Sequence, residues 1–159
     1  AGAGGHHRVL LREDGRAVAF GRNVDGQCEV PELEAGMRYL SAAAGANHTV
    51  LLREDGRAIA FGWNDEGQCD VPELEAGMRY VAVAAGAQHT ILLREDGRAT
   101  AFDRTVPGQC EVPEPEAGLR YVAAAAGRNQ ETSGELTSAL LATNNSATSM
   151  RPVKIIIIS

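Results

Sequence analysis

The sequence predicts an all-β protein: a partial β-propeller of about three blades, each of three to four short antiparallel strands, with a flexible C-terminal tail. Three observations lead there. A 41-residue unit recurs without insertion, so that Gly4, Gly45, Gly86 and Gly127 stand one step apart, as do His7, His48 and His89, and Cys28, Cys69 and Cys110. Inside each unit, short apolar and branched runs alternate with Gly, Asp and Asn turn signals, which is a strand pattern. Units of roughly 40 residues holding three or four strands are the pattern of propeller blades. A right-handed parallel β-solenoid is the structural alternative, but its coils are usually shorter.

The unit that starts at Gly45 shows how each element arises. Thr49-Val50-Leu51-Leu52 is a branched run that predicts a strand. Asp55-Gly56 predicts a tight hairpin, because both central turn positions favour residues that tolerate positive φ. The second arm, Arg57 to Phe61, alternates: Ile59 and Phe61 point one way, Ala58 and Ala60 the other. That fits a strand packed on both faces, with its alanine side pressed close to a neighbour. Asn64 to Gln68 reads as a turn, Val71 to Leu74 as an irregular or edge segment, and Tyr80 to Ala84 as the third strand. The stretch from Pro72 to Tyr80 contains helix formers, but Gly77 interrupts it and it is short, so at most one helical turn is expected.

Composition agrees with small blades. Among 159 residues there are 18 glycines but only 3 Phe, 3 Tyr and 1 Trp, so any core is built from small and branched side chains. Fifteen basic and 21 acidic residues give a net charge of −6, and the arginines sit beside acids rather than in a stripe. This argues against a nucleic-acid partner, whose binding rests on clustered Lys and Arg. No apolar run reaches the roughly 18 residues of a membrane helix, so no membrane partner is expected. The N-terminal residues do not read as a secretory signal. Three cysteines at wide, equal spacing do not make a disulfide framework. A reducing compartment, cytoplasmic or nuclear, follows as the expectation.

Residues 1–130 are expected to form three propeller-type repeats of an incomplete array. Residues 131–159 are expected to form a Ser/Thr/Asn-rich linker and an Ile-rich tail. The run from Val153 to Ile158 has high β propensity and low charge, an aggregation-prone signature unless it pairs with a sheet edge. Its expected role is to add a strand to the last, incomplete blade.

The pattern Gly45, His48, Thr49, Leu52, Asp55, Gly56, Phe61, Gly62, Asn64, Gly67 and Gln68 resembles the repeat of the regulator of chromosome condensation family. The resemblance covers residues 1 to about 130, and the middle copy matches best. The compact passage from Gly-Gln through Cys and an acid to Val-Pro is also similar to the bacterial β-lactamase inhibitor propeller. Both relatives imply a seven-bladed propeller, and the motif is specific for fold rather than for function. Departures accumulate along the chain: Asp103 stands where Gly21 and Gly62 stood, Thr105 replaces the turn asparagine, and Gln130 replaces the histidine. The β-lactamase inhibitor branch relies on aromatic anchors before the histidine. Here those positions are Ala46-Asn47 and Ala87-Gln88, so strong inhibition is not expected.

The resemblance implies that each histidine is structural and hydrogen-bonds within its own blade. One histidine per blade rings an axis instead of converging on an ion, and tetrahedral zinc needs four ligands. No metal and no cofactor is therefore expected. The cysteines read as small half-buried side chains. The Arg-Glu-Asp-Gly-Arg segments at 12–16, 53–57 and 94–98 read as solvated hairpin tips. No nucleophile–base set can be assembled, so no catalytic residue is assigned and no enzyme is expected. The reading reached is a non-catalytic protein–protein interaction module; the alternative is a regulatory repeat segment of a larger guanine-nucleotide exchange factor or HECT-type ubiquitin ligase. The candidate partner-binding residues are Trp63, Asn64, Asp65 and Glu66, with Ala46, Asn47, Ala87 and Gln88 beside the histidines. Trp63 is the chosen anchor because tryptophan is enriched at interface hot spots. The partner is expected to be a protein, and self-association through the open blade ends is a further expectation.

Overall fold

The computed structural model describes residues 2–102, 112, 120–126 and 154–158. Among these residues there is no helix, and they form eleven strands. Blade I comprises β1 (Gly2–Ala3), β2 (His7–Leu11) and β3 (Ala17–Gly21). Blade II comprises β4 (Tyr39–Ala44), β5 (His48–Arg53) and β6 (Ala58–Gly62), and blade III β7 (Tyr80–Ala85), β8 (Thr90–Arg94) and β9 (Ala99–Phe102). Each is an antiparallel three-stranded sheet in sequence order, and β10 (Tyr121–Ala126) occupies the first-strand position of a fourth. The first strands of successive blades lie against one another, β1 on β4, β4 on β7 and β7 on β10, as in a propeller. The Pro72–Tyr80 stretch makes no helical turn, only a bend in which Met78 N–H donates to the Glu75 carbonyl.

The hairpin tip differs from the two-residue turn the sequence suggests. Gly56 N–H donates to the Arg53 carbonyl, and the loop is closed by Arg53 N–H on the Arg57 carbonyl. Glu54, Asp55 and Gly56 therefore form a three-residue loop, and Gly56 at its end takes φ +82°, a left-handed conformation that glycine adopts without a Cβ penalty. The Asp55 carboxylate accepts from Arg57 N–H at 3.1 Å and pairs with Arg53 at 2.8 Å.

The core lies between blades. In β5 and β6, Leu51, Ile59 and Phe61 face blade I, where they meet Val9 and Ala19; Val50, Leu52, Ala58 and Ala60 face blade III, where they meet Leu92 and Phe102. Each blade thus turns its large side chains toward the preceding blade, its leading face. Its trailing face mixes alanine with Val or Leu, which lets the next blade approach. The alternation expected for Ala58 to Phe61 is what the packing shows. Val50 and Leu51 are both fully buried on opposite faces of one strand, which is why β5 reads as a continuous apolar run. Burying each such side chain contributes about 2 kcal/mol.

β11 (Lys154–Ile158) pairs with β10 in parallel, Tyr121 opposite Lys154 and Ala126 opposite Ile158. The added strand matches the role expected of the isoleucine run, although its direction is opposite to that of a second strand within a blade. The expected boundary at 130 and the Ser/Thr/Asn-rich linker lie outside the described residues, as do Cys110, Asp103, Thr105 and Gln130.

Candidate functional site

At one end of the strands blades I and II each carry two connections, one before the histidine and one after the third strand. The backbone joins them: Trp63 N–H donates to the Asn47 carbonyl at 2.9 Å, and in blade I Arg22 N–H donates to the His6 carbonyl at 3.0 Å. Neighbouring blades are joined at the same end, Gly5 N–H donating to the Gly45 carbonyl at 3.1 Å. A Cβ on Gly45 would lie 2.5 Å from the Gly86 carbonyl oxygen and would strike the His48 ring. Gly4 and Gly45 are therefore close-approach positions between neighbouring blades.

Directly beneath lies a relay that crosses each blade junction. Thr49 Oγ1 is 2.7 Å from the Gln27 carbonyl oxygen and 2.7 Å from His7 Nε2; in the next junction Thr90 Oγ1 is 2.7 Å from the Gln68 carbonyl and 3.1 Å from His48 Nε2. A carbonyl cannot donate, so the threonine hydroxyl spends its one hydrogen on it. The imidazole must then donate from Nε2, which fixes the neutral tautomer with a bare Nδ1. His48 is fully buried, and burial holds its pKa down at about 4, with the neighbouring His89 and His7 rings acting in the same direction. His7 is lowered as well, mainly by burial and secondarily by His6. The expectation of a bond within one blade is corrected: His7 and His48 each reach the threonine of the following blade. The reason is geometric, because the glycine contact brings that blade within reach.

The opposite end carries a second lock. Tyr39 N–H donates to the Gly15 carbonyl, and the Arg38 Nη2 donates to the Glu13 carbonyl, each at 2.8 Å. Tyr80 and Arg79 repeat this on Gly56 and Glu54. The Arg-Glu-Asp-Gly-Arg tips of blades I and II are thus grasped by the following blade. An open cleft of about 580 Å³ lies between the blade I tip and residues 33–38. It is lined by both charge signs, including Glu13, Asp14, Arg16 and Arg38.

Of the candidate contact residues, Ala46 and Asn47 form the turn before His48 and touch the Trp63 connection, while Ala87 and Gln88 form the same turn of blade III. Trp63 is half-buried, and Asn64, Asp65 and Gln88 are exposed. Asn64 works within its own turn: its Oδ1 accepts from Cys69 N–H at 2.7 Å and its Nδ2 donates to Asp70 at 2.8 Å. Glu66 N–H is taken by Gln68 Oε1 at 3.1 Å. The blade I connection, Arg22 to Asp25, is the counterpart of Trp63 to Glu66 in the sequence repeat, and within it Val24 is 76% exposed. Reasoning from sequence assigned no role to Thr49, Thr90 and Gln27, whose recurrence in step with the histidine was the available signal. Cys28 and Cys69 are half-buried, and each Sγ donates to a carbonyl, of Arg22 and Trp63 respectively. Burial, aided by Asp70, pushes the Cys69 thiol up to about 12, so it remains protonated at neutral pH. Among the described residues no group of three or more His, Cys, Asp or Glu is placed to hold a metal ion.

These features define a class: a blade array of the propeller type, with a histidine–threonine bond across the I–II and II–III junctions. The family model described as Regulator of chromosome condensation (RCC1) repeat matches residues 40–68. The fold is similar to that of Prp20p from Saccharomyces cerevisiae, at 24% identity and a TM-score of 0.59 over 72% of this chain and 33% of that one. It is also similar to human WBSCR16 (18%, TM-score 0.53, 62% of this chain and 31% of that one). The ectodomain of the Physcomitrella patens receptor kinase CR4 is a third such structure (19%, TM-score 0.51, 61% and 28%). The chain spans about a third of the length of these structures. No curated protein sequence matches it.

Proposed function

We infer that the chain is a non-catalytic protein-interaction module that presents the histidine-side rim to a protein partner, in the cytoplasm or nucleus. The observation that carries this reading is the rim itself. In blades I and II the two connections are tied by a backbone hydrogen bond, and these two blades are tied to each other at Gly5 and Gly45, so side chains that differ between the blades stand on a common backbone frame. Trp63 is the anchor, Val24 and Gln88 flank it on neighbouring blades, and Ala46, Asn47, Asp65, Glu66 and Ala87 complete the surface. A hydrogen-bonded frame with an aromatic anchor binds with little ordering cost. The structures similar in fold include yeast Prp20 bound to Kap60, and the other Prp20p study concerns binding to Gsp1p and histones. With a net charge of −6, the chain favours a basic partner by steering. Titration with purified core histones, Kap60 and Gsp1p tests the reading. Binding of one of them that weakens tenfold or more in Trp63→Ala, at unchanged melting temperature, is expected. Binding indifferent to Trp63→Ala removes the rim assignment.

The second reading, a regulatory segment of a larger exchange factor or HECT-type ligase, is favoured by the likeness to Prp20p alone. Its test is a guanine-nucleotide exchange assay on a small GTPase, which the interaction-module reading expects to be unchanged by this chain.

A further inference from the structure

Among the described residues, the leading face of blade I is uncovered, whereas the same face of blades II and III is packed on the blade before it. In blade II, Thr49 and Leu51 are fully buried on this face. The residues one step earlier are Arg8 and Leu10, and those before Ile59 and Phe61 are Val18 and Phe20. Arg8 is exposed, and Leu10, Val18 and Phe20 are 45%, 43% and 47% exposed. The strand register is the same, Arg8 opposite Phe20 and Leu10 opposite Val18, as Thr49 is opposite Phe61 and Leu51 opposite Ile59. The apolar part of the junction surface is therefore preserved, while its polar position is changed.

That change reverses the hydrogen-bond polarity of the junction. Thr49 and Thr90 each accept from a histidine Nε2–H and donate to a glutamine carbonyl. A guanidinium has five N–H donors and no acceptor. It can satisfy the carbonyl, but facing a histidine N–H it leaves two donors opposed in a buried site, which is costly.

We propose that the leading face of blade I docks a further blade of this repeat type whose residue at the histidine position is an acceptor, a carboxylate above all, and that Arg8 sets this specificity. Continuity with the two closed junctions names the occupant: branched aliphatic side chains and alanines cover Leu10, Val18 and Phe20, as Val9, Ala17 and Ala19 help cover the blade II face. Arg8 then bridges the carboxylate and the glutamine-position carbonyl with separate N–H groups, a charge-assisted pair in a covered site.

The test supplies such a blade to the full chain. A copy of residues 39–82, placed ahead of residue 1, runs in register into β1. It is made in two forms, unchanged and with His48→Glu in the copy, each on the native chain and on Arg8→Thr. On the native chain the glutamate form is expected to melt about 3 °C or more above the histidine form, and on Arg8→Thr the order is expected to reverse. A histidine form that equals or exceeds the glutamate form on the native chain overturns the proposal. So does failure of both copies to raise the melting temperature above that of the chain alone.

Discussion

The junction between blades I and II and the open leading face of blade I display the same repeat positions in two environments. Leu51 is fully buried and Leu10 is 45% exposed, although the two residues occupy equivalent positions of the second strand in the same register with the third. Burial of a blade face is a property of the adjacent blade. A repeat array gains stability from its junctions as well as its units, and the polar position differs between the two faces: Thr49 meets His7 in the closed junction, and Arg8 stands exposed.

Several substitutions break or sharpen this contrast. The largest effect is expected at the glycine contact. Gly45→Ala forces a Cβ to 2.5 Å from the Gly86 carbonyl, whereas a Cβ on Gly5 meets Ala46 at an ordinary 3.4 Å. Gly45→Ala is expected to cost about 3 kcal/mol and Gly5→Ala well under 1 kcal/mol, measured by urea denaturation. Next comes the leucine pair: Leu51→Ala is expected to cost about 3 kcal/mol and Leu10→Ala less than about 1 kcal/mol. Equal costs at the two positions would show that the blade I face is covered in solution.

Acid should act on the junctions and spare the open face. The folded-state pKa of His48, about 4, lies below its ordinary 6.5, so the unfolded chain binds the proton more readily. Stability is therefore full above pH 6.5, falls as the pH drops from 6.5 to 4, and is lowered by up to about 2–3 kcal/mol at the end of that window. His7 adds a change of the same sign. His48→Gln should flatten the profile of the urea midpoint between pH 7 and 4.5; an unchanged slope would remove the histidine from the effect. The smallest of these effects is expected from Thr49→Val, which strands the His7 N–H and the Gln27 carbonyl at about 1–2 kcal/mol.

Much of the fold was legible in the sequence because the repeat does the averaging that a single strand cannot. The faces of Ala58 to Phe61, the third strand at Tyr80 and the turn at Asn64 all follow from period and residue type. The hairpin at Asp55-Gly56 was legible as a turn but not as a three-residue loop, since its choice rests on the Arg53 hydrogen bonds. The destination of His48 was not legible: a spacing of 41 places a histidine in three units and a threonine after it in two of them, but does not say that the bond runs to the neighbour. Asn64 entered the candidate surface by position, and only the coordinates show its amide committed to Cys69 and Asp70.

By itself the sequence determined the blade: which residues form strands, which face is large and which is small, and where the chain turns. Those follow from local propensity and a period of two, which every unit carries within its own 41 residues. Only the tertiary structure decided how blades join, which nitrogen of His48 holds the proton, and that the Arg8 face stands open. These depend on atoms from two units meeting across a junction, at distances that no single unit contains.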